Sequence, residues 1–296
     1  MRLLLTGAAG FLGHECLSDI PVGTELIAVT RRGIPAWAER VPGVEWLEAD
    51  LAEAGFQRRL PGGVDAIVHL AQSRFDRDFP EHADDVVDVN VAATARLLDY
   101  ARHHGAGRFV LASTASVYRR GHGPLDEDAP LDLSSFYAAS KRSAELLVGA
   151  YSDLVASTVL RVFTTYGAGQ RRRLIAELIE RVRGGMPVTL EGERGLMLSP
   201  IHVRDVAGVL HAAAASTRPG CEIVNVGGPE ALGVREVVET IARELGTEPV
   251  FEPLTDDEPG GLVADLTRMN ERFPNTDHLR FSEGMRLTLG DVTASA

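Results

Sequence analysis

Leu3-Leu4-Leu5-Thr6-Gly7-Ala8-Ala9-Gly10-Phe11-Leu12-Gly13 is the stretch whose reading decides the fold. An apolar run of strand length passes directly into glycines spaced Gly-x-x-Gly-x-x-Gly, and a helical stretch follows. A tight turn of this kind aims the first N–H groups of the helix at a pocket, where they and the helix dipole favour a pyrophosphate. Glycine removes the side chains that would hold the phosphates away. The spacing arises readily by chance in a chain with 30 glycines. Directly after a buried strand and before a helix it marks a nucleotide-binding turn.

Outward from this turn, further apolar runs occur at Leu26–Val29, Val44–Leu47, Ala66–Leu70, Phe109–Ala112 and Ser157–Leu160, separated by stretches long enough for crossover helices. Short continuous apolar runs are the pattern of strands buried on both faces. The expected fold is therefore α/β, a doubly wound parallel sheet with helices on both faces. Helical periodicity covers Asn90–His103 and Ser135–Ala150. Beyond Gly167 the pattern changes: amphipathic helices are expected at Leu174–Val182 and Val234–Leu245, with short strands at Val188–Leu190, Ile201–Val203 and Glu222–Val226. We expect residues 1–166 to form the nucleotide-binding domain and 167–296 a smaller C-terminal α/β substrate lobe, with segments near 200–226 returning to the first domain.

Hydrophobic residues make up 45% of the chain and charged residues 24%, values that support a sizeable core. The formal net charge of −12 and the lack of a basic stripe beyond Arg171-Arg172-Arg173 argue against a nucleic-acid partner. Two cysteines, Cys16 and Cys221, supply neither a disulfide framework nor a metal cluster, so no metal site is expected, and their scarcity fits a reducing compartment. No apolar run reaches the roughly 18 residues of a membrane span. With the first strand starting at Leu3, no leader is expected either, which gives a cytoplasmic expectation.

Lys141 is the single lysine of 296 residues. It follows Tyr137 by one helical turn in Tyr137-Ala138-Ala139-Ser140-Lys141, and positions i and i+4 share a helix face, so a phenol and an ammonium stand side by side. A fixed positive charge stabilises phenolate over phenol and draws tyrosine from its usual value of about 10 toward neutrality, where proton transfer is efficient. A guanidinium is a wide planar fork and a poor replacement for a compact ammonium with three rotatable donors. Tyr-x-x-x-Lys alone also describes a solvated lysine beside a half-buried aromatic. The glycine turn upstream selects the acid/base reading.

Ligands of such a sheet bind at the carboxyl ends of its strands. After the second strand, Thr30-Arg31-Arg32 puts two cations where an acidic residue would receive adenosine ribose hydroxyls, which suits a 2′-phosphate and favours NADP(H) over NAD(H); the alternative is a pair of exposed loop arginines. After the third, Asp50-Leu51 offers a carboxylate to the adenine amino group, or a helix cap. After the fourth, His69-Leu70-Ala71 presents a small residue where a flat cofactor crosses, with His69 a core histidine. After the fifth, Ser113-Thr114-Ala115-Ser116-Val117-Tyr118 gathers hydroxyls, which also serve structurally in turns.

Thr6 to Gly13, Asp50-Leu51, His69-Leu70-Ala71, Ser113 to Tyr118, Tyr137 to Lys141, and Leu160-Arg161-Val162-Phe163 with Tyr166-Gly167-Ala168-Gly169-Gln170 together resemble the extended short-chain dehydrogenase/reductases. More narrowly, they resemble the NAD(P)-dependent epimerase/dehydratase branch that acts on nucleotide sugars. The resemblance covers nearly the whole chain and implies a Rossmann-like fold. It implies Tyr137 as general acid/base, Lys141 on the nicotinamide ribose, and Thr114 on the reacting oxygen. The implied cofactor-binding residues are Gly7, Gly10, Phe11, Leu12, Gly13, Thr30, Arg31, Arg32, Asp50, Leu51, Leu70, Ala71 and Phe163, together with Tyr137 and Lys141. Substrate contacts are implied for Ser113, Ser116, Thr164, Thr165 and Arg171, and a homodimer through the helices containing Asn90–His103 and Tyr137–Ala150.

The chain also departs from that pattern. Dehydratases of the branch carry an acidic pair after the threonine, where Ala115 and Ser116 stand here, so dehydration is disfavoured. Two arginines that clamp the substrate diphosphate in the family are replaced by Leu198 and by the stretch Glu258-Pro259-Gly260-Gly261. The expectation is an NADP-dependent oxidoreductase, a ketoreductase or 4-epimerase of a nucleotide-linked keto- or deoxyhexose. A reductase of a smaller carbonyl compound is the alternative motivated by the missing arginines, and a catalytically silent dinucleotide-binding sensor or scaffold is the third reading.

Overall fold

The computed structural model describes residues 1–276 and 278–293. Strands β1 (Arg2–Thr6), β2 (Glu25–Thr30), β3 (Val44–Glu48), β4 (Ala66–His69) and β5 (Arg108–Thr114) form on the apolar runs, and Ala156–Val162 and Cys221–Val226 complete a seven-stranded sheet. Its order is Cys221–Val226, Ala156–Val162, β5, β4, β1, β2, β3. Leu4, Ile27, Ile67 and Phe109 are no more than 1% exposed, which is why these strands run apolar without alternation.

β1 pairs in parallel with β2 on one side and β4 on the other, Leu4 lying opposite both Ile27 and Ile67. The chain moves outward from β1 to β2 and β3, then crosses back to β4 and β5. The direction of winding therefore reverses between β1 and β4, and a crevice opens at their carboxyl ends.

The helices of this part of the chain are α1 (Phe11–Ser18), α2 (Ala83–Val87), α3 (Ala93–His104) and α4 (Phe136–Ala150). The helical pattern expected from Asn90 begins earlier, at Ala83, and a π turn over Asp88–Ala92 interrupts it. The wider turn holds Asn90, 2% exposed, where its amide is fully engaged: Oδ1 accepts from Ser73 N and Nδ2 donates to Ser140 Oγ, both at 2.9 Å. α3 stops at Gly105, whose left-handed φ of 72° lets its N–H reach Ala101 O. Ser135 caps α4, its Oγ accepting from Ala138 N at 3.1 Å.

Two compact units emerge. The first comprises Met1–Val117, Leu131–Arg161 and Ala207–Val224, with a core that includes Leu4, Ile67, Leu97, Phe109 and Val159. The second comprises Tyr118–Pro130, Val162–Val206 and the chain from Asn225 onward. It has its own four-stranded sheet, in the order Leu232–Gly233, Met197–Leu198, Gly261–Ala264, Pro124–Leu125. Helices Leu174–Arg183, Val234–Leu245 and Phe281–Thr293 contribute Leu178, Val238 and Met285 to its core around Tyr166. The strand expected over Ile201–Val203 ends at His202, because Val203 opens a helix whose first turn carries Asp205, a favourable charge at that end. Among the described residues, no helix is long and apolar enough to cross a membrane.

Candidate active site

The three glycines of the first turn have distinct tasks. Gly7 adopts a φ of +70°, and a Cβ there would stand 2.7 Å from Ala71 N, so only glycine lets the β1 turn lie against the end of β4. A Cβ on Gly13 would meet Gly7 O at 2.4 Å, so the third glycine seats α1 against the turn. Gly10 is exposed, and a Cβ on it would meet only Gly7 O, at 3.1 Å. It begins α1 with no side-chain cap, leaving the first N–H groups of the helix for a ligand. Phe11 and Leu12 are half-buried beside it. This cradle fits the pyrophosphate of a dinucleotide.

Thr6 ties the two strands of the crevice together. Its Oγ1 lies 2.7 Å from His69 Nδ1 and accepts from Ala71 N at 3.3 Å. His69 is buried, and desolvation, with the Lys141 charge as the smaller cause, pushes it down to about 3. It is neutral at physiological pH and belongs to the core, as its sequence context suggests.

Tyr137, Lys141 and Glu145 follow one another at successive turns of α4. Tyr137 Oη donates to Gln72 Oε1 at 3.1 Å. Lys141 is 3% exposed, and its Nζ donates to Ala112 O at 2.6 Å. Burial pushes its ammonium down to about 8, against an opposing pull from Glu145. Glu145 is itself buried and accepts from Arg161 Nε at 3.1 Å and Nη2 at 2.8 Å, from Arg142 Nη1 at 2.9 Å and from Ser113 Oγ. These bonds hold its carboxyl below the usual range despite the desolvation that opposes them. The result is a helix that carries a half-buried phenol, a buried ammonium and a buried carboxylate at successive turns.

The strand-end residues separate by use. Thr114, half-buried, accepts from Ser116 N at 3.1 Å and donates to Ser116 Oγ at 3.2 Å; Ser116 is exposed. Ser113 is buried with its hydroxyl on Glu145. Thr30 is buried, its Oγ1 donating to Gly33 O at 3.3 Å, while Arg31 is half-buried and Arg32 exposed. Asp50 Oδ1 accepts from Ala52 N at 3.0 Å in a local turn. Leu51 is buried, and Leu70 and Ala71 are half-buried at the mouth of the crevice.

In the second unit, Phe163 is buried and donates its N–H to Val226 O at 2.8 Å. Thr164 O accepts from Ile201 N at 2.9 Å, and Thr165 Oγ1 donates to Phe163 O at 3.3 Å. Arg171 is exposed in the loop before Leu174–Arg183. Sequence reading overlooked Gln72 and the Glu145 cluster. The helical spacing Tyr137, Lys141, Glu145 was the one available signal for the second.

A switch-point crevice with a glycine cradle and a Tyr-x-x-x-Lys pair whose lysine is buried defines a dinucleotide-binding α/β enzyme framework. Residues 3–227 match the NAD dependent epimerase/dehydratase family, and the chain belongs to it, within the extended short-chain dehydrogenase/reductases. It is 32% identical to a dTDP-glucose 4,6-dehydratase of Streptomyces griseus over 307 aligned residues, covering 97% of this chain and 93% of the relative. It is 30% identical to a UDP-glucuronate 4-epimerase of Thermodesulfobacterium geofontis over 234 residues, covering 76% and 72%. Among solved structures, MoeE5 in complex with UDP-glucose and NAD superposes with a TM-score of 0.85 at 28% identity, over 100% of this chain and 99% of that one.

Proposed function

We propose that the protein is an NADP(H)-dependent oxidoreductase acting on a nucleotide-linked keto- or deoxysugar, as a ketoreductase or a 4-epimerase. The observation that carries the reading is the only lysine of the chain, buried on Ala112 O one helical turn from Tyr137. Burying an ammonium is costly unless its charge is used. Sugar-nucleotide epimerases and dehydratases among the relatives support the substrate class.

In this reading Gly7, Gly10, Phe11, Leu12 and Gly13 hold the pyrophosphate, Asp50, Leu51, Leu70, Ala71 and Phe163 the remainder of the dinucleotide, and Thr30, Arg31 and Arg32 the 2′-phosphate. The bound dinucleotide supplies or accepts the hydride. Tyr137 exchanges the proton on the reacting oxygen, as neutral phenol in reduction and as phenolate in oxidation. Lys141, charged at neutral pH, stabilises the phenolate. Thr114 orients the same oxygen, and Ser113, Ser116, Thr164, Thr165 and Arg171 are proposed on the substrate side. Of these, Ser113 would first have to leave Glu145. Dehydration needs a further acid and base to remove a proton and expel water, and Ala115 with Ser116 supplies neither, so reduction or epimerisation is preferred. A cytoplasmic homodimer completes the proposal.

The test is a cofactor balance with UDP- and dTDP-linked sugars, offered both as the 4-keto compounds and as the 4-hydroxy epimers. Stoichiometric NADPH consumption supports reduction, and interconversion of epimers without net consumption supports epimerisation. Loss of water from a 6-hydroxy substrate would contradict both. The smaller-carbonyl reading rests on Leu198 and the stretch Glu258-Pro259-Gly260-Gly261 in place of the two arginines, and predicts turnover that free nucleoside diphosphate does not inhibit.

A further inference from the structure

Gln72 has no part in the reaction as drawn, yet its side chain lies on the reacting phenol. Tyr137 Oη donates to Gln72 Oε1 at 3.1 Å. A phenol has one proton, so a carbonyl oxygen bonds the neutral form and loses that bond on ionisation. Such an acceptor favours phenol over phenolate, in the opposite sense to the ammonium of Lys141.

The backbone beside Gln72 is fixed. Ser73 N donates to Asn90 Oδ1 and Asn90 Nδ2 to Ser140 Oγ, both at 2.9 Å, and Ser140 Oγ donates to Tyr137 O at 2.8 Å. Ser73 Oγ also bonds Asp85. These bonds close a ring from the neighbour of Gln72 back to the residue that Gln72 touches. Asn90 stands on the π turn, an irregularity that recurs at functional sites.

Resting on the acid/base reading of Tyr137, we propose that Gln72 is a positioning residue that holds Tyr137 in its proton-donating form and marks the place of the substrate oxygen. On binding, the carbonyl oxygen of the substrate replaces Gln72 Oε1 as the acceptor. Hydride from a bound reduced nicotinamide would add to the carbonyl carbon, leaving the nicotinamide oxidised, while the oxygen takes the phenol proton and the phenolate recovers a proton from solvent. The bias suits reduction. The titratable and charged groups on the elements packed around the phenol include Lys141, Arg142 and Glu145 on α4, neutral His69 on β4, Asp84 and Asp85 on α2, Arg161 on the neighbouring strand and Arg74 beside Phe75. All are retained in the variants below.

The test is a tyrosinate absorbance titration of the full chain without substrate, with the Tyr137→Phe titration subtracted to isolate one of five tyrosines. Gln72→Met keeps the bulk and removes the acceptor, and the Tyr137 midpoint falls by about half to one pH unit. Gln72→Glu places an anion there and raises it. Dinucleotide binding by each variant shows that the fold is kept. An unmoved or raised midpoint in Gln72→Met overturns the proposal, whatever Gln72→Glu does; a rise is what an amide turned to give Nε2–H to the phenolate produces. Turnover of Tyr137→Phe is read separately: an inactive Tyr137→Phe with an unmoved or raised Gln72→Met midpoint removes Gln72 alone, whereas an active one removes the reading on which it rests.

Discussion

Replacing Lys141 by methionine tests what burying the ammonium costs. Lys141 is 3% exposed, and burial lowers it from 10.5 to about 8. At about 1.36 kcal/mol per unit, that drop corresponds to roughly 3 kcal/mol of unfavourable folding energy while the lysine is charged in both states. The sign follows from proton counting. Between about 8 and 10.5 the unfolded chain holds a proton that the folded chain has released, so wild-type stability rises with pH across that window. Methionine has a similar length and does not titrate, so subtracting the two proteins cancels the other ionisable groups. Urea unfolding at a series of pH values is the assay. The stability of Lys141→Met relative to wild type should fall by about 3 kcal/mol from neutral pH to above the free-lysine value. A difference that stays flat, or that grows with pH, would show that Lys141 is solvated and refute the reasoning.

Replacing both Arg31 and Arg32 by serine should weaken NADPH binding about ten- to a hundredfold for each charge-assisted hydrogen bond removed, with NADH binding little changed, as measured by fluorescence titration. Glu145→Gln removes the carboxylate that accepts from Arg161 Nε and Nη2 and should cost about 3–5 kcal/mol in urea unfolding, whereas the double replacement Glu145→Met with Arg161→Met should recover much of that loss. Gly7→Ala forces a side chain into the left-handed region and against Ala71 N, so it should cost at least about 1–2 kcal/mol and weaken dinucleotide binding beyond what unfolding explains.

The sheet was legible because β1, β2, β4 and β5 are buried on both faces, and continuous apolar runs record that directly. The helix Val234–Leu245 was legible at both ends, since Gly233 and Gly246 bracket a strongly one-sided pattern. The π turn was not: it arises from the tertiary engagement of Asn90, which periodicity cannot record. Lys141 stood out through composition. Its surroundings did not, because Ser113, Arg142, Glu145 and Arg161 meet only when β5, α4 and the strand Ala156–Val162 pack together. Ser113, read as a hydroxyl for substrate, has its Oγ on that buried carboxylate. Gln72 drew no reading, because nothing local marks a side chain that reaches a phenol 65 positions away.

The central claim is that Tyr137 moves the proton while other residues, most of them in the first unit, hold the dinucleotide. Tyr137→Phe, assayed for turnover of the nucleotide-linked sugar found by the cofactor balance and for NADPH affinity, tests it directly. Turnover should fall by about 10²–10⁴-fold with dinucleotide affinity within about threefold of wild type. A Tyr137→Phe protein that turns over at the wild-type rate would contradict the account.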